Sequence, residues 1–194
     1  LPYALQVRGN PVHADGSFRL HLDNVGGSTA VFQVHSGLVA DLPRAYTVEA
    51  GKHLVANWPV AALGVNTYDL TVRGPNGFVR RFQGALSGVG KSRLDVQADY
   101  DTVGEGLSLR IRNSSQQPAD VRVFDRYTGT TTALRLEPGQ SERVQWALAA
   151  FHGWYDLGVT VLGESGYALT LAGHVETGRP SASDPVLGGL PLKG

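Results

Sequence analysis

The feature that most constrains this chain is one pattern of residues that occurs twice. Tyr68-Asp-Leu70 opens an alternating run that passes a Gly-Phe turn and closes at Gly84. Tyr155-Asp-Leu157 opens a second run, which passes a Gly-Tyr turn and closes at Gly173. Across each whole unit, corresponding residues lie 87 to 89 positions apart, as Asn113 follows Asn24. Such a constant offset predicts that one structural unit is used twice in tandem.

The spacing of apolar residues is two almost throughout, which is the period of a β-strand. In residues 17–23, the side chains of Phe18, Leu20 and Leu22 share one predicted inward face. Residues 10–16 read as a turn-rich loop, and a helix fits only at residues 60–63, as a single turn. The chain is therefore expected to be built from short strands.

Each unit has about seven short strands and no room for a crossover helix, which excludes a parallel βαβ fold. We predict an all-β fold of two tandem antiparallel Greek-key sandwiches of immunoglobulin type, which share no sheet across their boundary. The units are residues 1–86 and 93–178, separated by a Gly- and Ser-rich linker, and residues 179–194 form a mobile tail. The candidate core side chains are Trp58, Tyr68, Phe82, Trp146, Tyr155 and Leu171.

Composition excludes several classes of function. The net charge at neutral pH is zero, so no global field would attract nucleic acid or an anionic membrane. There is no Cys, which excludes disulfides and thiolate metal sites, and no apolar run is long enough for a transmembrane helix. There is also no Met, which indicates a processed product or a fragment, so any export signal would lie upstream of Leu1.

Two local motifs imitate ligand sites. Gly90-Lys-Ser92 resembles the end of a phosphate-binding loop, but the Gly required six positions before the Lys is Ala85. Asp99, Asp101 and Glu105 lie close together, but position 103, where a calcium loop would place an oxygen ligand, is Val. We interpret the first as fortuitous and the second as a solvated acidic turn.

His174 and Glu176 lie one strand step apart, and His152 falls on the paired segment. Two His and one Glu make an incomplete metal site, so we predict hydrogen-bonding polar residues at a strand end, with no metal and no cofactor. The Tyr-Asp pairs, Tyr68-Asp69 and Tyr155-Asp156, occur in both units and are therefore predicted to be structural, as are Trp58 and Trp146. No catalytic residue is identified.

Longer segments carry a resemblance to a known family. Residues 1–9, 44–52, 74–80, 152–157 and 172–185 resemble the C-terminal region of bacterial phosphocholine-preferring phospholipases C. The resemblance implies that a large upstream domain holds the metal, the nucleophile and the choline pocket. It also implies export, with a secreted or periplasmic location. No catalytic residue of that family can be transferred to this chain.

We therefore expect a non-catalytic accessory region of a phospholipase C that releases phosphocholine from phosphatidylcholine- or sphingomyelin-type lipids. Its expected partners are the upstream catalytic domain of the same polypeptide and a lipid surface, with docking on the domain ranked first. The predicted docking residues are His152, Trp154, His174, Glu176 and Arg179. The alternative is an independent adhesive or carbohydrate-binding sandwich.

Overall fold

The computed structural model describes residues 2–37, 42–88, 90–180 and 182–185. Over these residues the chain is all-β, with antiparallel, sandwich-like sheets, which confirms the predicted fold class. Two single 3₁₀ turns, Ala61–Leu63 and Ala149–Phe151, interrupt the strands, the first at the predicted place. The strands are β1 (Leu5–Val12), β2 (Ser17–Asn24), β3 (Ala30–Ser36), β4 (Arg44–Val48), β5 (Lys52–Trp58), β6 (Thr67–Arg73), β7 (Val79–Ala85), β8 (Leu94–Asp101), β9 (Gly106–Asn113), β10 (Ala119–Asp125), β11 (Thr131–Leu136), β12 (Ser141–Ala147), β13 (Trp154–Val161) and β14 (Ala168–His174).

Three sheets form the described part of the molecule. One three-stranded sheet has the order β1-β2-β5, and a second has the order β12-β9-β8. The third sheet has eight strands, in the order β11-β10-β13-β14-β7-β6-β3-β4. The inward side chains of all three sheets belong to one buried core, to which Phe18, Leu20 and Leu22 contribute as predicted. The Greek-key, immunoglobulin-type connection pattern stays a prediction.

The eight-stranded sheet corrects the expectation that no sheet is shared. β14 pairs with β7 in antiparallel register, from Ala168 opposite Gln83 to Ala172 opposite Val79. Without this pairing, both strands would expose unpaired N–H and C=O groups at a sheet edge. Gly84, the predicted close of the first unit's second alternating run, lies inside β7. The unit boundaries, residues 1–86 and 93–178, stay a prediction.

The joint between the halves is symmetric. The last strands of the two halves, β7 and β14, are neighbours at the centre of the eight-stranded sheet. The fourth strands of the two halves, β4 and β11, form its outer edges. Arg81 stands opposite Thr170 in the ladder, and Thr170 follows Arg81 by 89 positions, the offset that relates Asn113 to Asn24. Equivalent residues thus face each other, so the two halves meet about a local two-fold axis.

The predicted core is correct except at one position. Trp58, Tyr68, Phe82, Tyr155 and Leu171 are buried, with exposed fractions of 7% or less. Trp146 is only partly buried, on the edge strand β12. The guanidinium of Arg44 covers the ring of Trp58 at 3.9 Å, whereas the corresponding position in the second half, 88 residues later, is Thr132. The predicted loop at residues 10–16 is also shorter, because β1 continues to Val12.

Two fully buried asparagines occupy corresponding places in the two halves. Asn24 Nδ2 donates to the carbonyls of Ser28 and Val48, at 2.8 and 3.0 Å. Asn113 Nδ2 donates to the carbonyls of Gln117 and Leu136, at 2.8 and 2.9 Å. Each side-chain oxygen also accepts the N–H two residues later. Each Asn therefore ties the end of a strand to the loop that follows it and to a strand of the opposite sheet.

Candidate functional site

Three of the predicted docking residues meet at one end of the second half. His152 ends the 3₁₀ turn with a positive φ of 54°, and it is exposed. Trp154 stands opposite His174 in the β13–β14 ladder, with their ring centroids 4.9 Å apart. His174 Nε2 lies 2.9 Å from the backbone oxygen of His152. The imidazole of His174, the indole of Trp154 and the backbone of His152 thus belong to one local cluster.

Glu176 connects this cluster to the first half. Its carboxylate accepts hydrogen bonds from Asn76 Nδ2 and from the backbone N–H of Tyr3. Gly77, in the same turn as Asn76, lies against the indole of Trp154, and a Cβ there would come within 2.7 Å of that ring. The sequence had indicated only a hairpin turn at this place, so Tyr3, Asn76 and Gly77 are additions from the structure.

Arg179 is exposed and lines an open cleft of about 730 Å³ together with Trp154, His174 and Glu176. Pro2 lines the same cleft. All five predicted docking residues therefore lie at or beside one end of the molecule, where the described chain also begins.

The first residues of the predicted mobile tail are packed in the described structure. Trp154 Nε1 donates to the carbonyl of Ala182 at 2.9 Å, and the hydroxyl of Tyr127 donates to Asp184 Oδ1 at 3.0 Å. Pro185 is buried. Side chains of the second half thus contact residues 182–185. The mobility of the tail stays a prediction, and residues 186–194 lie outside the described part.

A second cleft, of about 300 Å³, adjoins the first and lies between the two halves. We call it the inter-half cleft. Its side chains come from both halves and include rings, hydroxyls and carboxylates: Tyr3, Phe78, Asp99, Tyr100, Tyr155 and Glu176. No sequence pattern could have gathered these residues, because they are separated by up to 173 positions.

Arg80 lies beneath this cleft with an exposed fraction of 1%. Its guanidinium donates to the hydroxyls of Tyr100 and Tyr155 at 2.8 and 3.0 Å, and to the carbonyls of Val79 and Ala172 at 2.8 and 3.1 Å. Burial acts to lower the pKa of Arg80, but the two tyrosine oxygens outweigh it and the pKa is raised. Arg80 is therefore a permanent buried cation that joins the two halves.

The Tyr-Asp pairs have different surroundings in the two halves. Asp69 accepts two hydrogen bonds from Arg81, at 2.8 and 2.7 Å. Asp156 Oδ1 lies 3.1 Å from Arg126 Nε, but the alignment is poor and this oxygen accepts no hydrogen bond. Burial raises the pKa of Asp156 despite Arg126, and Asp184 and Asp125 raise it further. The structural role of these aspartates stays a prediction.

The motifs that imitate ligand sites are engaged in internal contacts. The N–H of Gly90 donates to the carboxylate of Glu164. Asp101 Oδ1 accepts the N–H groups of Val103 and Gly104, and Asp99 forms an ion pair with Arg143 at 2.9 Å. Within the described ranges, no group of three or more His, Asp or Glu side chains is arranged to hold a metal. No helix there is long and apolar enough to cross a membrane.

Comparison with known proteins assigns the chain to a family. A family model described as "Bacterial phospholipase C, C-terminal domain" matches residues 1–85 and residues 94–174. The chain belongs to the bacterial phospholipase C C-terminal domain family. The resemblance inferred from the sequence motifs is thereby confirmed.

Curated relatives match nearly all of this phospholipase C C-terminal domain. It is 40% identical over 190 residues to a non-hemolytic phospholipase C of Burkholderia pseudomallei, covering 96% of this chain and 27% of the relative. It is 37% identical over 212 residues to a hemolytic phospholipase C of Pseudomonas aeruginosa, covering 96% and 29%. The chain thus spans less than a third of the length of the curated relatives it matches.

Among solved structures, the crystal structure of red sea bream transglutaminase covers 90% of this domain, which in turn covers 31% of that chain. The sequence identity is 15% and the TM-score is 0.28. A similarity this low supports no inference about fold or function.

Proposed function

We propose that this domain is a non-catalytic accessory region of a secreted or periplasmic phospholipase C, and that it docks on the catalytic part of the same polypeptide. The family is described as a C-terminal domain, and its relatives are more than three times as long as the match. In such a protein, the preceding polypeptide would enter at Leu1. The reaction we propose for the whole protein is release of phosphocholine from phosphatidylcholine- or sphingomyelin-type lipids.

One observation carries the docking proposal, namely the position of Pro2. Pro2 lines the same cleft as Trp154, His174, Glu176 and Arg179. A polypeptide that continues backward from Pro2 starts within this cleft, so the catalytic part would be tethered next to the docking residues. Tethering raises the effective concentration of one surface at the other, which favours contact even where the intrinsic affinity is modest.

Docking is favoured over insertion of Trp154 into lipid. The indole N–H is already bound to the carbonyl of Ala182, and the ring lies against Gly77 and His174. An indole that anchors a protein in a membrane would instead direct its ring to the headgroup level. Trp154 is better placed to shape the cleft wall against which a protein partner packs.

The test uses the longer phospholipase C that contains this domain, with Trp154→Ala and Arg179→Ala combined. Phe124→Ala and Arg122→Ala form the matched control, since both lie on β10 and Phe124 is 42% exposed. We expect the first pair, but not the control, to lower the thermal midpoint of the whole enzyme and its activity on a soluble, monomeric phosphocholine ester. A defect that appears only on micelles or bilayers would contradict docking and favour lipid engagement.

A further inference from the structure

The two sides of the joint between the halves are related by the local two-fold axis, but they carry different side chains. On one side, Phe18, Tyr68 and Phe82 pack together. The ring centroid of Phe18 lies 4.4 Å from that of Tyr68 and 5.4 Å from that of Phe82. The space left beside them, next to Leu94 and Leu169, is about 20 Å³. We call this the closed side because the space is so small, although polar residues such as Arg8, Asn10 and Asp95 also line it.

On the other side, the corresponding positions carry different residues. Residues 89 positions after Phe18 and Phe82 are Leu107 and Leu171, and Tyr100 stands where the first side has Pro11. Arg80 stands where the second half has Leu169. The result is the inter-half cleft, of about 300 Å³. A symmetric joint that needed only stability would have been packed alike on both sides, so the open side indicates a binding function.

Charge and shape in the cleft favour a cationic occupant. Glu176 is partly buried and is held by two neutral donors, Asn76 Nδ2 and the N–H of Tyr3. Among the residues that the structure describes, no Lys or Arg lies within ion-pair distance of it, whereas Asp99 in the same cleft is paired with Arg143. The rings of Phe78 and Tyr155, which line the cleft, already contact the Arg80 guanidinium at 4.2 and 5.6 Å, so Glu176 is the group that would attract a further cation.

The buried charge of Arg80 opposes a cation but does not decide the balance. Arg80 does not line the cleft, and its guanidinium is engaged by the hydroxyls of Tyr100 and Tyr155 and by the ring of Phe78. Coulomb energy falls with distance, so a carboxylate in contact with the occupant outweighs a cation one side-chain layer further away.

We infer that the inter-half cleft is a socket for a Lys or Arg side chain from the rest of the phospholipase polypeptide, with Glu176 as its anion. This inference rests on the proposed function. The occupant is a segment of the same polypeptide because Tyr3 lines the cleft and more than two thirds of each relative's length lies outside the matched region. A basic side chain there would gain a charge-assisted hydrogen bond and contact with the rings.

The test is hydrogen exchange of the full-length phospholipase compared with the isolated domain. We expect amides of residues 3–6 and 174–176 to exchange more slowly in the full-length protein. With Glu176→Gln in both proteins, these amides should exchange within about twofold of each other in the full-length protein and in the isolated domain. High salt should have the same effect on the wild-type pair. The isolated Glu176→Gln domain is the reference because the substitution also alters the bonds to Asn76 and Tyr3. Asp95→Asn, on the closed side of the joint, removes the same charge and should leave the protection unchanged.

The outcomes separate the two proposals. Protection in the full-length protein that survives Glu176→Gln would overturn the basic socket and leave docking intact. No protection in the wild-type protein would overturn docking and the socket together. Protection of the isolated domain by phosphatidylcholine vesicles, without protection in the lipid-free full-length protein, would assign the cleft to lipid and overturn the inference.

Discussion

Asn24→Ala and Asn113→Ala are expected to destabilise the domain strongly and by similar amounts. Each Asn is fully buried, donates to two carbonyls and accepts one N–H. At about 1 kcal/mol for each lost hydrogen bond, either substitution should lower the free energy of unfolding by about 3 kcal/mol. Asn113 also accepts a bond from Ser115 Oγ, but this contact is only part-buried and should add less than the buried ones.

The assay is urea unfolding of the purified domain, followed by tryptophan fluorescence. An unchanged slope with a shifted midpoint would show a change in stability alone. Asn66→Ala is the control, because Asn66 makes exposed hydrogen bonds with Ser87 and should cost no more than about 0.5 kcal/mol. If the two buried asparagines cost no more than Asn66, the inferred role of these contacts is wrong.

Four further predictions concern Arg80, the two aspartates and catalysis by the isolated domain. Arg80→Leu introduces the residue found at the corresponding position 169. It should lower the free energy of unfolding by about 2–4 kcal/mol, because the hydroxyls of Tyr100 and Tyr155 lose their donor. A loss below about 0.5 kcal/mol in urea unfolding would contradict this. Because the pKa of Asp156 is raised in the native state, the stability of that state falls as the pH rises through this pKa. Asp156→Asn should therefore raise the thermal midpoint at pH 7, and the difference from the wild type should vanish in acid. An equal difference at both pH values would refute this prediction. Asp69→Ala removes a partly exposed ion pair and should cost about 1 kcal/mol or less at pH 7 in the same melting assay. The purified domain should release no phosphocholine from phosphatidylcholine, and metal-dependent turnover abolished by His174→Ala would show otherwise.

The sequence alone determined the strands and the family. Alternation with a period of two placed Phe18, Leu20 and Leu22 in the core, because successive side chains of a strand point to opposite faces. Gly-containing turns predicted the hairpins, and the repeated motifs carried the resemblance that the family comparison confirmed. These are local features, so each could be recognised within a few residues of the chain.

The tertiary structure decided how the halves join. Pairing of β7 with β14 uses backbone N–H and C=O groups, which every residue except Pro carries, so no side-chain pattern predicts it. Alternation places Arg80 on the inward face with Phe78 and Phe82, yet the sequence cannot show what would receive a buried cation there. Its partners, Tyr100 and Tyr155, come from the other half.

The inter-half cleft was beyond sequence reasoning for the same reason. Glu176 could be identified as polar and close to His174, but its partners Tyr3 and Asn76 are 173 and 100 positions away. The two sides of the joint differ at several corresponding positions, among them Leu107 against Phe18 and Tyr100 against Pro11. The sequence shows these differences, but only the folded structure shows that they lie on opposite sides of one joint.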